Sequence, residues 1–272
     1  MFQRLQIDKK LLGEIWEYGP PQRSTEAHRH SELEVNLVIS GTATYVLRDR
    51  RYELGTGTLV WLFPAQEHLI VRQSSNFRMW IGVFRQTMLR NTELGQARIL
   101  RQKSPTEIFC RSLSPTTTTE LAYLFQKVQS ARNYPPEFNS GLKYLLLSGW
   151  SAFERSAKVL PQQMLHPVVA QVIHSAELLD SNIRIDHLAA GAGISVGQLS
   201  RLFRQQMGIR LVDYRNHRRL QQFLSLYRRG TMTALSAALQ SGFGSYPQFH
   251  RVFRAQIGES VRSFSRKLKS MR

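Results

Sequence analysis

Two stretches of the chain repeat each other fifty residues apart: residues 195–208 read SVGQLSRLFRQQMG, and residues 245–258 read SYPQFHRVFRAQIG. Each begins with Ser-x-x-Gln, a pattern typical of the capping box that starts a helix, and each ends on the glycine preferred just after a helix. Both copies carry apolar residues at helical spacing, which predicts one buried stripe and an opposite polar face. The repeat therefore predicts two matched amphipathic helices.

A second short helix and a glycine turn precede each copy. Residues 185–189 lead to Gly193, and residues 234–238 lead to Gly242. A helix, a tight glycine turn and a basic helix form the helix-turn-helix signature, whose second helix enters the major groove of DNA. A linking helix over about residues 212–227 is expected to hold the two units at a fixed separation. The two recognition helices could then enter successive major-groove segments of DNA, which lie ~34 Å apart.

The polar faces of the repeated helices are the candidate DNA-reading surfaces. For either helix alone, an ordinary solvated face is the simpler interpretation, but the duplicated cap, apolar stripe, arginine and glycine turn together favour DNA recognition. Arginine is the best suited to specify a base, because it can donate two hydrogen bonds to guanine. The candidates on these faces are Gly197, Ser200, Arg201 and Arg204 in the first copy and Pro247, His250, Arg251 and Arg254 in the second.

Charge is concentrated in the same region. The chain of 272 residues has a net charge of +18, and its last hundred residues hold 16 lysines and arginines against 5 acidic residues, a net of +11. Such an excess attracts polyanions. Double-stranded DNA is therefore the expected partner, since the sequence shows no apolar leader and no run of ~18 apolar residues. We expect a cytoplasmic protein with no membrane partner, and the lone Cys110 excludes an intramolecular disulfide.

Residues 166–266 resemble the DNA-binding domain of the AraC/XylS family of transcription regulators. The resemblance lies in Gly242-Phe243, in the run FHRVF at residues 249–253, and in Gly258. Leu211 and Val261 stand where the family usually has proline, and Leu224 replaces a small residue of the linking helix. The resemblance implies that base-edge contacts come from Gly197, Ser200 and Arg201 in the first unit and from Tyr246, Pro247, Gln248, His250 and Arg251 in the second.

The first part of the chain has a different pattern. β-rich runs at residues 35–39, 42–47, 58–63 and 79–84 are separated by glycine and proline, which favours a sandwich or barrel. Helical spacing then begins and predicts helices over about residues 118–132 and 138–158. The apolar faces of these two helices suggest self-association, so we expect a homodimer. Trp61 and Trp80 are expected in the core of the strand region.

Four residues of the strand region form a candidate ligand site. His28, His30, Glu34 and Gly41, followed later by Pro64 and His68, resemble the two short motifs of the cupin superfamily, whose barrel the sensors of AraC-type regulators share. His28 and His30 are alternate residues, so on one strand they point to the same face. The second motif has Gln66 for the usual glycine and one residue fewer before its histidine, which puts the position of His68 in question.

The chemistry of that cluster leaves three interpretations open. As the resemblance implies, regulators of this family commonly use the pocket for an organic effector without metal, and this is the favoured reading for His28, His30, Glu34 and His68. Three imidazoles and a carboxylate could instead hold a divalent metal ion. A purely structural hydrogen-bond network is the third interpretation.

Together these patterns predict an α+β multidomain chain. Residues 1–105 form a cupin-like β-barrel that senses an effector, residues 106–164 a helical connector for dimerisation, and residues 165–272 an all-α domain with two helix-turn-helix units. The predicted function is a DNA-binding transcription regulator controlled by a small molecule, with a weak hint of a sugar. It requires no cofactor, and RNA polymerase is a further candidate partner. The alternative is a metal-dependent cupin enzyme with a DNA-binding appendage, resting on the same histidine cluster.

Overall fold

The chain folds into two compact units, residues 1–164 and residues 165–272. The computed structural model describes residues 5–20, 28–64, 66–105, 109–157, 159–174, 185–228 and 230–270. In the described residues the first unit combines strands with helices, and the second contains helices alone. The predicted α+β multidomain class is confirmed.

The strands of the first unit form two antiparallel sheets. The described strands are Gly13–Tyr18 (β1), Leu33–Ser40 (β2), Ala43–Leu47 (β3), Arg50–Leu54 (β4), Thr58–Leu62 (β5), His68–Gln73 (β6), Arg78–Phe84 (β7), Cys110–Ser112 (β8) and Gln162–Met164 (β9). One sheet has the order β1-β7-β2-β5-β8 and the other the order β6-β3-β4-β9. The four β-rich runs of the sequence correspond to β2, β3, β5 and β7.

Strand β2 separates two apolar cores. Val35 and Leu37 belong to the core that the five-stranded sheet shares with helices, whereas Val38 belongs to a core built from residues of both sheets. Because successive side chains of a strand point to opposite faces, Glu34 shares the face of Val38. This alternation directs a carboxylate into the space between the two sheets.

The helices of the first unit cover the five-stranded sheet. They are Gln86–Arg90 (α1), a 3-10 segment at Gly95–Arg101, Pro115–Ser130 (α2) and Pro135–Arg155 (α3). The ring of Trp80 stacks on Phe125 of α2 at a centroid distance of 6.0 Å, and Trp61 meets Trp150 of α3 at 5.9 Å. Both tryptophans are therefore core residues, as expected.

The region predicted as a separate connector, residues 106–164, contributes to this core. The apolar stripes of α2 and α3 pack on the sheet, and residues of this region also supply the edge strands β8 and β9. An apolar stripe shows that a helix has one buried face, and here that face is buried inside the unit. Position 158, the predicted end of the second helix, lies outside the described residues.

The second unit carries the repeat. Its described helices are Pro167–His174 (α4), Ile185–Gly191 (α5), Val196–Met207 (α6), Leu211–Arg228 (α7), Ala234–Gln240 (α8), Tyr246–Ile257 (α9) and Val261–Ser270 (α10). Helices α5 and α6 form one helix-turn-helix unit, and α8 and α9 form the other. The linking helix α7 contacts both: its Tyr214 lies 5.3 Å from Phe203 of α6, and its Phe223 lies 4.4 Å from Phe249 of α9.

The departures from the family pattern are accommodated in this unit. Leu211 and Val261, which replace the usual prolines, begin α7 and α10 and are only 3% and 4% exposed. Helix α10 is capped by Ser260, whose Oγ accepts a hydrogen bond from the Ser263 N–H at 3.2 Å. Leu224 is buried in the aromatic core around α9. Helix starts and core packing are thus maintained without those prolines.

Candidate functional site: a buried histidine cluster and two exposed helix faces

Helix α6 presents the predicted polar face of the first copy. Ser195 caps it with a complete capping box, in which its Oγ accepts from the Gln198 N–H at 3.2 Å and the Gln198 side chain accepts from the Ser195 N–H at 2.8 Å. The stripe of Leu199, Phe203 and Met207 is buried. On the opposite side Gly197, Arg201 and Arg204 are exposed, and Ser200 is half-buried.

Helix α9 presents the corresponding face of the second copy. Phe249 and Phe253 are fully buried, which leaves the other side of the helix free of core contacts. Tyr246, Pro247 and Arg251 are exposed, whereas Gln248 and His250 are half-buried. The exposed Arg251 occupies the position that Arg201 has in α6.

The turns before the two recognition helices differ by one residue. In both, a glycine with positive φ follows the first helix: Gly193 at 68° and Gly242 at 83°. The carbonyls of Ala189 and Ala238 then accept from the N–H groups five residues later. Only one residue, Ile194, separates Gly193 from the capping Ser195, whereas Phe243 and Gly244 separate Gly242 from Ser245.

That additional residue alters the second cap. Ser245 still accepts from the Gln248 N–H at 3.3 Å, but the Gln248 side chain accepts from the Gly244 N–H at 3.1 Å instead of from Ser245. The backbone of Ser245 is also more extended, with φ of −159° against −75° at Ser195. The duplicated capping box of the sequence is therefore complete in the first copy and shifted by one residue in the second.

Part of the positive charge of this unit serves the fold. Arg218 of α7 is 6% exposed, and its guanidinium donates to the carbonyl of Ile173 at 3.0 Å and to the hydroxyl of Tyr214 at 3.2 Å. This links α7 to α4. Arg218 is therefore not available to an external partner, whereas the exposed arginines of α6 and α9 are.

In the first unit, the predicted cluster forms between the sheets. His30, Glu34 and His68 are 3%, 5% and 3% exposed, and His28 is half-buried. One nitrogen or oxygen atom from each of the three buried residues lies within 4.8 Å of the others. His28 exchanges two backbone hydrogen bonds with His68, and their rings lie 4.2 Å apart.

The shortened second motif brings His68 into this cluster. The side chain of Gln66, where glycine is usual, accepts from the Phe63 N–H at 3.0 Å and closes the turn before β6. The Nδ1 of His68 lies 3.2 Å from the Gln66 carbonyl, which fixes Nδ1 as the donor and leaves Nε2 as an acceptor. The position of His68 is thus compatible with the departure from the motif.

Charges within the cluster are strongly coupled. His30 Nε2 lies 2.7 Å from Glu34 Oε2. Burial alone would lower the pKa of His30, but the hydrogen bond and charge of Glu34, with Glu32, outweigh it and raise this pKa. Burial would raise the pKa of Glu34, yet His30 holds it at about 2. Burial, assisted by His28, lowers the pKa of His68 to about 3.

The cluster therefore presents a buried ion pair beside a neutral imidazole. It opens on a cavity of about 170 Å³. Tyr45 is fully buried there, and its hydroxyl accepts from Asn36 at 3.3 Å. The other lining residues are Leu5, Trp16, Tyr18, Ile70, Met79 and Ile81.

Sequence reasoning missed the aromatic lining of the cavity. Trp16 and Tyr18 lie on β1, a six-residue strand of the sequence GEIWEY. Gly13 at its start and Gly19-Pro20 directly after it were the available signal, because glycine and proline typically bound strands. Tyr45 lies on a strand that was predicted, and its inward direction follows only from the pairing of β3 with β6.

A β-rich unit whose largely apolar cavity borders a buried histidine cluster, joined to a unit with two helix-turn-helix motifs, defines a ligand-responsive DNA-binding regulator. Residues 14–128 match the AraC-like ligand binding domain family, and residues 188–267 match a helix-turn-helix domain family. The chain belongs to the AraC/XylS family of transcription regulators. This is a family of regulators and not of enzymes. Among the described residues, no helix is both long and apolar enough to cross a membrane.

Three curated relatives place the chain more closely. It is 22% identical over 264 residues to the uncharacterized HTH-type transcriptional regulator YfiF of Bacillus subtilis, covering 94% of this chain and 83% of that protein. It is 31% identical over 85 residues to the probable transcription factor PqrA of Proteus vulgaris, covering 31% and 70%. It is 31% identical over 129 residues to the arabinose operon regulatory protein of Escherichia coli, covering 45% and 41%.

Proposed function

We propose that this regulator binds specific DNA sequences through the exposed faces of α6 and α9, under control of a small molecule held in the cavity of the first unit. The observation that carries the proposal is the pair of arginines, Arg201 and Arg251, at matching exposed positions of two helices braced by α7. A helix fits the major groove of B-DNA, and an exposed arginine there can reach guanine. We place its site of action in the cytoplasm, where its DNA lies.

The roles within these faces are divided by chemistry. Arg201 and Arg251 read base edges, and Arg204 adds phosphate contacts near the end of α6. Gly197, Ser200, Tyr246, Pro247 and His250 offer small or partly polar surfaces to the bases. Gln248 caps its helix through Oε1, so only its amide NH₂ is free to contribute to a base contact.

DNA binding is tested with the full chain on duplexes selected from a random library. Because each neutralised phosphate releases counterions, affinity should fall roughly 1000-fold or more between about 50 and 200 mM salt if at least six phosphates are contacted. Fluorescence anisotropy measures this slope, and residues 165–272 alone should reproduce it. Selection that enriches no sequence, or binding that ignores salt, would contradict the proposal.

The cavity is proposed to bind a small polyhydroxylated effector. Glu34 and the Nε2 of His68 can accept hydrogen bonds from hydroxyl groups, and Trp16 offers an apolar face for a sugar ring. Ligand pockets combine an apolar lining with few polar groups in this way. Likeness to a regulator of the arabinose operon supports a sugar, without assigning arabinose to this chain.

The effector is sought by thermal shift of the full chain over pentoses, hexoses and small organic acids, because a ligand stabilises the state it binds. His30→Ala and Glu34→Ala should abolish the shift and the response of a reporter gene, while DNA binding by residues 165–272 is unchanged. The exposed His187 of α5 provides the matched control, His187→Ala. Full inducibility of both cavity variants would place the effector elsewhere.

We also propose a homodimer, formed through apolar residues that α2 and α3 leave exposed. The apolar stripes of α2 and α3 are buried in the first unit, but Tyr123, Tyr144 and Leu147 remain 64%, 64% and 38% exposed on these helices. A twofold dimer would bury the same surface on each copy. Sedimentation at micromolar concentration should show a dimer that Tyr144→Glu with Leu147→Glu converts to monomer. A wild-type monomer, with and without DNA, would remove this part of the proposal.

A further inference from the structure

A second cavity lies on the outer face of the four-stranded sheet. Its volume is about 400 Å³, more than twice that of the cavity between the sheets. Tyr45 of β3 lines the inner cavity and the preceding residue, Thr44, lines the outer one, because successive side chains of a strand point to opposite faces. The sheet itself therefore separates the two cavities. The polar lining of the outer cavity includes Thr42, Thr44, Arg51, Glu53, Arg72 and Ser74.

A β-bulge in β6 brings Arg72 to this outer face. Tyr45 pairs with Ile70 and Thr44 pairs with Arg72, so Val71 is an extra residue between the two pairs. In a regular strand Arg72 would share the inner face of Ile70, because side chains two residues apart point the same way. The extra residue reverses this alternation and places Arg72 beside Thr44. Bulges commonly re-aim a side chain in this way next to functional sites.

The guanidinium of Arg72 is exposed and makes no hydrogen bond or ion pair with the part of the chain that the structure describes. The carboxylate beside it is already matched. Arg51 Nε donates to Glu53 Oε1 at 2.9 Å, and Thr44 Oγ1 donates to Glu53 Oε2 at 3.0 Å. Thr44 is only 5% exposed, so the sheet fixes this arrangement. The charge that the cavity leaves uncompensated is therefore that of Arg72.

We propose that the outer cavity is a second ligand site, which binds a small organic anion through a carboxylate or phosphate group on Arg72. A guanidinium presents paired donors whose geometry matches either group. The hydroxyl of Thr42, just before β3, is a further donor on the cavity wall. A volume of about 400 Å³ is within the range of pockets for small molecules. A single unpaired guanidinium in a cavity favours a small anion over a nucleic acid, which requires a basic stripe.

The test is isothermal titration calorimetry of the full chain with citrate and with inorganic phosphate, at an ionic strength fixed with chloride. We expect saturable binding of at least one probe, and the tighter probe identifies the recognised group as carboxylate or phosphate. Arg72→Gln should weaken this binding roughly 10–100-fold, the loss expected for a hydrogen bond to a charged group. Arg90→Gln, at the exposed end of α1, is the matched control and should change nothing.

A further variant separates the site from the general attraction of anions to a basic chain. Glu53→Gln removes the negative charge nearest Arg72 and should tighten binding, whereas anions bound elsewhere are insensitive to both substitutions. Circular dichroism establishes that the variants fold. Absence of saturable binding of either anion, or binding that Arg72→Gln leaves unchanged, overturns the site. Binding of DNA and of sugars is measured separately and depends on other residues, so the proposed function does not stand or fall with this result.

Discussion

The two units differ in the exposure of their functional polar groups, which are buried in the first unit and exposed in the second. In the first unit His30, Glu34 and His68 are at most 5% exposed, and each is held by other polar groups in an apolar interior. In the second unit Arg201 and Arg251 are exposed, with apolar residues on the other side of their helices. An interior polar group is costly to leave unpaired, whereas an exposed one is free to serve a partner. Stability and function should therefore be coupled in the first unit and separable in the second.

The largest expected effect is on the interior pair. Glu34→Ala removes the ion-pair partner that β2 provides for the buried His30. The substitution should therefore lower the free energy of unfolding of the first unit by about 3–5 kcal/mol. All four tryptophans, at positions 16, 61, 80 and 150, belong to this unit, so tryptophan fluorescence in urea reports its unfolding. Glu34→Gln retains a hydrogen-bond acceptor and should cost less. A loss below about 1 kcal/mol for Glu34→Ala would show that the pair is dispensable.

The stability that the His30–Glu34 pair contributes should depend on pH. The pKa of Glu34 is lowered from 4.5 to about 2, so its contribution to stability is complete above pH 4.5 and is lost as pH falls towards 2. The pKa of His30 is raised from 6.5, so its contribution is complete below pH 6.5 and is lost as pH rises through the raised value. The difference in stability between wild type and Glu34→Gln should therefore be largest between pH 4.5 and 6.5. Urea titrations in the presence of a chelator measure it, and a difference independent of pH would refute the pairing.

Substitution of the exposed arginines should reduce DNA binding without reducing the stability of the second unit. Arg201→Ala and Arg251→Ala should each cost about 1–3 kcal/mol of binding to the selected DNA site and relax base preference at different positions. Their unfolding free energies should change by no more than about 0.5 kcal/mol, as for most surface substitutions. Arg201→Lys and Arg251→Lys are the controls, because lysine keeps the charge without the paired donors. If lysine restores full affinity, or if all sequences weaken equally, the arginines contact only phosphates.

The smallest effect is expected at the helix caps. Ser195→Ala and Ser245→Ala each remove an acceptor for a backbone N–H, at 3.2 and 3.3 Å, and should destabilise the second unit by about 1 kcal/mol. Thermal melts of residues 165–272, followed by circular dichroism, measure this loss. Substitution by asparagine instead should restore most of it, since asparagine is an equally good cap. A serine whose loss costs nothing would mean that water replaces its hydroxyl.

Features that depend on residues close together in the sequence could be predicted from it, whereas features that depend on distant contacts could not. Helices α6 and α9 were predictable because cap, stripe and terminal glycine all lie within one short segment, and local signals determine such a helix. The burial of α2 and α3 was not, because an apolar stripe identifies a buried face without naming what covers it. Those helices therefore read as a connector, although Phe125 and Trp150 pack against the sheet.

The sequence predicted which residues form the candidate ligand site, but it did not predict how they are arranged. His30, Glu34 and His68 followed from a spaced motif, but their proximity depends on residues 28 and 68 pairing across forty positions of sequence. The tautomer of His68 depends on the Gln66 carbonyl, which is a backbone group invisible to any motif. Trp16 lies on β1, whose position in the sheet comes from its pairing with the distant β7.

The single residue Gly244 gives the second reading unit a cap that the first unit does not share. A chimera that copies α9 in place of α6, with junctions drawn at the capping serines, would leave Gly244 behind, so the Gln248 side chain would have to accept from the serine N–H, as Gln198 does in α6. Moving the junction one residue upstream transfers that partner, but it also lengthens the turn between the two helices of the recipient unit. Redesign of DNA specificity by exchange of recognition helices must therefore treat residues 242–258 as one block, and substitutions confined to the exposed face of each helix are the safer route.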